Sequence, residues 1–362
     1  MKKIIICIIS LLAIQVQAQN KSYITKVLEY VPAPGQFVNV LPVYASGDNT
    51  TSMCAKCMDY FNQDYAVSLG AYGGYVTVGF DHTIANVPGE YDIKVLGNAF
   101  SGSAEPGIVL VSADANKDGL PNDEWYELKG SEYDNAATIR NYEITYYKPA
   151  NLTDKIRWTD NQNGEGYVQR TIHTQPYYPQ WINSETITFK GSRLPDNGVY
   201  NSSLSKWVMT AYEYGYADNQ PNDSDGCKLK FDWAVDKNGN SVTVKGVDFI
   251  RIYTAVNQAI GGGVGEISTE VSGVEDLHPT QNGESVIITS ISSINKASEV
   301  YYSNGEITIQ KEDPCNVFVY NSQGALVSQW NHEGGLKSTL FTPSKGLYII
   351  QTGFERHKII VQ

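Results

Sequence analysis

The chain has few basic residues, few cysteines and no long apolar segment beyond its first residues. Its 27 lysines and arginines are outnumbered by 39 aspartates and glutamates, which gives a formal net charge of −12. A nucleic-acid-binding protein needs a basic surface, so nucleic acid is not expected as a partner. Binding to an anionic membrane is disfavoured for the same reason. No segment after the N-terminus is apolar enough to span a membrane.

The N-terminus has the pattern of a secretory signal peptide. Lys2 and Lys3 precede an apolar run over residues 4–13, and Ala18 stands at a suitable cleavage point. We predict a signal peptide over 1–18, with a mature protein that is secreted or held at the outer-membrane cell surface. Cys7 lies inside the apolar run, so the usual lipoprotein arrangement, a cysteine directly at the cleavage point, is missing.

Four cysteines follow the predicted signal peptide, and they are too few to form the framework of a chain of this size. Cys54 and Cys57 form a C-x-x-C pair, while Cys227 and Cys315 stand alone. A redox role would need a βαβ context, and a zinc site would need a second pair. The sequence therefore predicts a local disulfide or free thiols.

Hydrophobic and polar residues alternate with period two in many short segments, such as 75–80, 142–147 and 185–189. Such alternation is typical of half-buried β-strands, and the glycine, asparagine and proline clusters between the segments indicate turns. One short helix is predicted around Met53 to Asp64. We therefore predict an all-β protein with a large jelly-roll-like β-sandwich over residues 19–275.

A second, smaller unit is predicted at the C-terminus. Residues 276–297 are polar and serine-rich and are expected to form a linker, although residues 286–288 could form a strand. From residue 298 to 362, short strands recur, beginning with a hairpin whose turn is Asn304-Gly305. The fold class is thus all-β, with a large sandwich followed by a small C-terminal β-sandwich domain.

The most specific local pattern is a stretch of acidic and amide residues that resembles the first half of an EF-hand calcium loop. Calcium prefers six to eight oxygen ligands, and Gly119 permits the sharp turn. The twelfth position is Trp125 rather than glutamate, so a carboxylate just before it must complete the sphere. Flanking strands argue against a sensor role, and a polar turn without metal is the alternative. The predicted ligands of a structural Ca²⁺ are Asp114, Asn116, Asp118, the Leu120 carbonyl, Asp123 and Glu124.

Tyrosine and tryptophan are frequent, at 25 and 6 residues, and several cluster in the second half of the large domain. On a β-sandwich they could stack against a ring-bearing ligand, although core packing explains them equally well. The predicted ligand-binding residues are Tyr178, Trp181, Trp207 and Tyr214.

Catalysis has little support, and no catalytic residue is assigned. The five histidines share no metal-ligand spacing, no G-x-S-x-G elbow occurs, and the glycine run 261–265 lacks the Lys-Ser/Thr of a phosphate loop. A carboxylate pair for glycoside cleavage stays open, with Glu105 and Glu266 as candidates. The polar stretch 218–226 is interpreted as an exposed turn.

A further set of segments lies within residues 26–278, namely 31–39, 68–70, 79–82, 105–109, 123–128 and 252–257. Through these segments, this part of the chain resembles a family of Bacteroidetes cell-surface proteins. Some relatives are neighbours of outer-membrane uptake systems, including those for corrinoids. The end of the chain, with Val319–Gly324, Lys345–Ile350 and the terminal Lys358–Val361, resembles a type IX secretion C-terminal sorting domain. These resemblances imply export across an outer membrane, followed by release or anchoring.

The sequence thus favours a secreted or cell-surface protein that binds a ligand without acting on it. The expected partners are an extracellular glycan or a small molecule such as a corrinoid, and the outer-membrane secretion or uptake machinery. A glycan-acting hydrolase on the same scaffold is one alternative, and a structural envelope component is another.

Overall fold

The computed structural model describes residues 20–261, 263–289, 299–303, 305–311, 313–353 and 355–361. The chain divides into two compact units, one extending to Thr289 and the other beginning at Ser290. The predicted signal peptide 1–18 and residues 290–297 of the predicted linker lie outside the described residues.

The first unit consists of short strands, one α-helix and two 3-10 helices, Asp225–Cys227 and Phe231–Trp233. Its elements, in chain order, are β1 (Lys26–Val31), α1 (Thr50–Phe61), β2 (Val67–Ser68), β3 (Tyr75–Ala85), β4 (Ile93–Gly97), β5 (Gly107–Ser112), β6 (Tyr126–Leu128), β7 (Ile139–Tyr147), β8 (Ile156–Asp160), β9 (Glu165–Val168), β10 (Thr186–Arg193), β11 (Gly198–Asn201), β12 (Lys206–Met209), β13 (Lys228–Leu229), β14 (Ala234–Val235), β15 (Val242–Val244), β16 (Gly246–Thr254), β17 (Ala259–Ile260), β18 (Gly265–Glu266), β19 (Glu270–Asp276) and β20 (Ile287–Thr289).

A six-stranded antiparallel sheet, in the order β1-β3-β16-β5-β6-β14, forms the centre of this unit. Successive side chains of a strand point to opposite faces, so each strand serves two cores. Val76 and Ile252 lie in one hydrophobic cluster, whereas their sequence neighbours Tyr75 and Tyr253 lie in the other. The central sheet is therefore covered on both faces.

The first face packs against a four-stranded sheet, β13-β4-β19-β2, and against α1. Val95 on β4 and Val271 on β19 belong to this core, together with Ile250 on β16. The second face packs against the sheet β10-β7-β8-β9, whose Tyr146 and Phe189 are also buried. The result is a sandwich-like, three-layered arrangement with many large aromatic residues inside.

Helix α1 begins with a capping box, in which the Asn49 side chain accepts from the Ser52 amide and the Ser52 hydroxyl accepts from the Asn49 amide. These bonds satisfy two of the backbone donors that a helix N-terminus leaves free. Cys54 and Cys57 lie on its buried face and form no disulfide. Burial raises the pKa of Cys54 to about 11, so this thiol is not activated as a nucleophile.

The second unit is also all-β and has its own core, which includes Ile309, Val319 and Ile350. It contains a three-stranded sheet, β21-β22-β25, and a four-stranded sheet, β24-β23-β26-β27. The strands are β21 (Glu299–Ser303), β22 (Glu306–Lys311), β23 (Cys315–Asn321), β24 (Leu326–His332), β25 (Gly335–Leu340), β26 (Gly346–Thr352) and β27 (Glu355–Val361).

The predicted all-β class is confirmed, and a helix is found at 50–61, close to the predicted position. Among the described residues, no helix is both long and apolar enough to cross a bilayer. The segment predicted as a linker contains β20, which pairs with β15 of the first unit. Residues 287–289 therefore extend the first unit beyond the predicted domain end at 275.

Candidate metal centre

Three acidic side chains from distant parts of the sequence meet in the first unit. Glu105 precedes β5, Asp218 lies in the loop after β12, and Glu270 begins β19. Each offers a carboxylate oxygen within 4.8 Å of the others. This is the one group of three such metal-ligating side chains found among the described residues.

Backbone pairing brings the three segments together. The amide of Glu105 donates to the carbonyl of Asp218 at 2.9 Å, and Gly107 and Ala217 exchange two backbone hydrogen bonds of 2.9 Å each. The Thr269 hydroxyl donates to the carbonyl of Glu105 at 2.8 Å, which ties the same segment to the start of β19. The positions of the carboxylates are therefore set by the sheet architecture.

Asp218 is the most constrained member of the group. Its φ of 49° lies in the left-handed region, and its side chain is 2% exposed. One carboxylate oxygen accepts from the amide of Asn98 at 2.9 Å, and the other accepts from the amide of Glu270 at 2.8 Å. A Cβ on Gly97 would lie 2.5 Å from the first of these oxygens, so only glycine leaves room for the carboxylate there.

Glu270 is 3% exposed and incompletely hydrogen-bonded. Its Oε2 accepts from the side-chain amide of Asn98 at 2.9 Å, but its Oε1 is buried without a hydrogen-bond partner. A buried carboxylate oxygen without a partner is costly, so it indicates a missing proton or cation. Asn98 is exposed and Glu105 is half-buried, so the group lies just below the surface.

The electrostatics of the group point the same way. Burial, followed by the charges of Glu270 and Asp218, raises the pKa of Glu105 well above its ordinary value. Burial and Glu270 also raise the pKa of Asp218, and burial raises that of Glu270 to about 6. Among the described residues, no lysine, arginine or histidine forms an ion pair with any of the three. Either protons or a cation must therefore offset the charge.

The predicted calcium loop lies between β5 and β6. Asp114 accepts from the amides of Asp118 and Gly119, Asn116 accepts from the amide of Asp118, and Asp118 accepts from the amide of Leu120. The structure thus gathers the first three predicted ligands around a tight turn. Asn122, which was not predicted, joins them by donating to Asp118 at 2.8 Å.

The last two predicted loop ligands are placed differently. The Glu124 carboxylate accepts from the hydroxyl of Tyr126 at 3.2 Å, and the Asp123 side chain has a buried oxygen without a partner. The Leu120 side chain is exposed. Calcium binding by this loop stays a prediction.

The four predicted ligand-binding aromatics are not gathered on one surface. Tyr178 and Trp181 are 2% and 6% exposed, and the Trp181 ring stacks on Tyr30 with 5.5 Å between ring centroids. Both side chains belong to the hydrophobic core, so they offer almost no surface to a ligand. Trp207 is half-buried against Tyr200, and Tyr214 is partly exposed against Trp233.

From the sequence, Glu105 and Asp218 were considered separately, and Glu270 was assigned no role. Glu105 was paired with Glu266 as a candidate, and Asp218 was placed in a stretch interpreted as an exposed turn. Glu266 is 4% exposed and is not a member of the group. No local pattern links the three members, because they lie in segments that are distant along the chain.

No model of a known protein family matches the chain, and no curated protein is significantly similar to it. The interpretation of the site therefore depends on its geometry and chemistry.

Proposed function

We propose that this chain is a non-enzymatic binding protein whose large β-unit is stabilised by a divalent cation held by Glu105, Asp218 and Glu270. The observation that carries the proposal is the buried Oε1 of Glu270, which has no partner in a group of three carboxylates. A cation at this position would offset the negative charge and supply the missing contact.

Calcium fits the donor set best. All the nearby donors are hard oxygens, with three carboxylates and the hydroxyls of Ser68 and Ser268, which are 2.6 Å apart and act to lower the pKa of Glu270. Oxygen-only sites suit calcium, magnesium or manganese, and calcium tolerates irregular coordination by six to eight ligands. Such an ion would cross-link three segments that are distant in sequence.

A structural role fits this site better than a catalytic one. Asp218 and Glu270 are almost completely buried, and both oxygens of Asp218 already accept backbone hydrogen bonds. A substrate has little access to them.

The proposal places the protein outside the cell or at its surface, where millimolar calcium sites of extracellular modules are common. The apolar N-terminus and the sequence motifs near the C-terminus support this location. In this proposal the second unit is the sorting domain. The second unit's independent core is compatible with such a separate role.

The test is thermal unfolding of the full mature chain at neutral pH, with calcium and with a chelator. We expect calcium at saturating concentration to raise the melting temperature by about 5 °C or more. Glu270→Gln should abolish this increase, whereas Glu275→Gln, at a half-buried position on the same strand, should leave it intact. Glu105→Gln, at a half-buried position, serves if the first variant does not fold. No calcium effect in the wild-type protein would refute the proposal.

The calcium loop is tested separately with Asp118→Ala. The carboxylate of Asp118 is exposed, and its bonds to Leu120 and Asn122 hold its pKa below the ordinary value. In chelator we expect little change in melting temperature, because water can replace these exposed contacts. If the loop binds calcium, isothermal titration should lose one binding site in this variant. A calcium response that is lost in Asp118→Ala but kept in Glu270→Gln would assign the ion to the loop and reject the buried group.

A further inference from the structure

A cleft opens between the edge of the central sheet and the sheet β10-β7-β8-β9. Its lining residues include Leu110 of β5, Glu127 of β6, Trp125, Tyr133, Arg140 and Asp236. The cavity volume is about 150 Å³. Since one water needs roughly 10–15 Å³ on this measure, the cleft accommodates a group of about the size of one sugar ring.

Glu127 is the central polar group of the cleft. Its carboxylate accepts from the Ser192 hydroxyl at 2.6 Å, and Ser192 is itself held by two backbone hydrogen bonds with the Tyr253 hydroxyl. Burial raises the pKa of Glu127 to about 7, against the opposing charge of Arg140. A carboxyl group in this condition can both accept and donate a hydrogen bond near neutral pH.

The other polar groups of the cleft carry both charge signs. The Arg140 guanidinium lies 4.3 Å from the centroid of the Tyr133 ring and 3.3 Å from an Asp134 oxygen. The Asp236 carboxylate carries the opposite charge to Arg140. It accepts hydrogen bonds from the amides of Asn240 and Asn238, and these bonds lower its pKa. Donors and acceptors are thus held in place on neighbouring sides of one small space.

The walls of the cleft are partly apolar. The Trp125 ring is fixed by the Arg251 guanidinium, which lies 4.1 Å from the ring centroid and pairs with Glu29 at 2.6 Å. Glu127 lies opposite Leu110 on one side and Val235 on the other in the strand register. Ordered polar groups next to aromatic and aliphatic surfaces are typical of small-molecule sites.

We infer that this cleft binds one uncharged, hydroxyl-rich ring, that is, a monosaccharide or the terminal sugar of a glycan. Each hydroxyl of such a ligand both donates and accepts, which matches the mixture of Glu127, Asp236 and Arg140. An anion would face the carboxyl groups of Glu127 and Asp236, and a cation would face Arg140 and Lys237. The inference deepens the proposed binding function by naming the ligand class. It does not involve the cation site, so each can fail without the other.

The experiment uses the full mature chain and a panel of neutral monosaccharides: glucose, galactose, mannose, xylose, fucose and N-acetylglucosamine. Saturation-transfer NMR identifies any sugar that binds, and titration gives its affinity, with glucuronate and inorganic phosphate as anionic probes. We expect at least one neutral sugar to bind in the millimolar range. Arg140→Ala should weaken this binding by about tenfold or more.

Arg157→Ala is the matched control. Arg157 is 44% exposed, compared with 45% for Arg140, and it likewise pairs with a carboxylate and lies over a tyrosine ring of the same sheet, but outside the cleft. The Arg157→Ala variant should bind the sugar with the same affinity as the wild-type protein. Glu127→Gln should also weaken binding, with a melting temperature showing that the variant is folded. Absence of binding by every neutral sugar, stronger binding of the anions, or equal effects of the two arginine variants would overturn the inference.

Discussion

The wild-type protein is expected to lose stability as the pH rises from about 5 to about 8, and Glu266→Gln is expected to remove a large part of that loss. Glu266 is 4% exposed, and burial raises its pKa from 4.5 to about 8. One of its oxygens accepts from the amide of Gln36, and the other is buried without a partner. The folded protein therefore holds this carboxyl group in its neutral form over a range in which the unfolded chain ionises it.

The sign of the effect follows from proton linkage. Between pH 4.5 and 8 the folded state binds more protons than the unfolded state, so the free energy of unfolding decreases as the pH increases. The contribution is fully present below pH 4.5 and is lost as the pH rises through 8. Its size over this range is on the order of 5 kcal/mol. Glutamine has nearly the same shape and does not ionise, so it removes the dependence without creating a cavity.

Urea unfolding at several pH values, with chelator present throughout, measures this difference. Other buried carboxyls, including Asp92 with a pKa raised to about 6, add to the slope of both proteins, so the relevant quantity is the difference between variant and wild type. Glu275→Gln, at a half-buried position whose carboxylate pairs with Lys94, should follow the wild-type curve. Parallel curves for Glu266→Gln and wild type would show that Glu266 is ionised in the folded protein.

Gly74→Ala is expected to lower the free energy of unfolding by about 4 kcal/mol or more, or to prevent folding. An added Cβ would lie 1.9 Å from the carbonyl oxygen of Leu69 and 2.2 Å from the amide nitrogen of Ala33. These two atoms form a backbone hydrogen bond of 3.0 Å with each other. The methyl group would thus displace the backbone itself, which cannot move away as a flexible side chain can.

The matched control for this prediction is Gly261→Ala. The closest atom to its added Cβ would be the Trp207 ring nitrogen at 3.5 Å, an ordinary contact distance. Here the change should be within about 0.5 kcal/mol, as is usual for surface substitutions. Equal unfolding curves for the two alanine variants would show that the chain accommodates the extra carbon at position 74.

The region around Gly74 is connected by hydrogen bonds to the strand that carries Glu270. Ser68 ends β2 and Gly70 follows it, and the Ser268 hydroxyl hydrogen-bonds to both residues. Ser268 lies two residues before Glu270, so the close packing around Gly74 supports the strand that carries a proposed cation ligand. A destabilised variant that still folds should therefore also bind calcium more weakly.

The sequence by itself determined the all-β class, the position of α1 and many strands, because period-two alternation and turn residues are local properties. It also indicated the first half of the acidic loop at 114–118, because those residues interact within a single turn. The hairpin pairing Val300 with Ile309 was likewise evident from its Asn-Gly turn.

Only the tertiary structure decided which acidic residues meet and which aromatics are exposed. Glu105, Asp218 and Glu270 are separated by long stretches of sequence, and their contact depends on how β4, β5 and β19 are ordered in two sheets. Nothing in the local sequence around Trp181 distinguishes it from a surface aromatic residue. Its ring nevertheless lies in the hydrophobic core of the first unit. Burial and long-range strand pairing are properties of the assembled sandwich, and a period along the chain carries no information about which strands become neighbours.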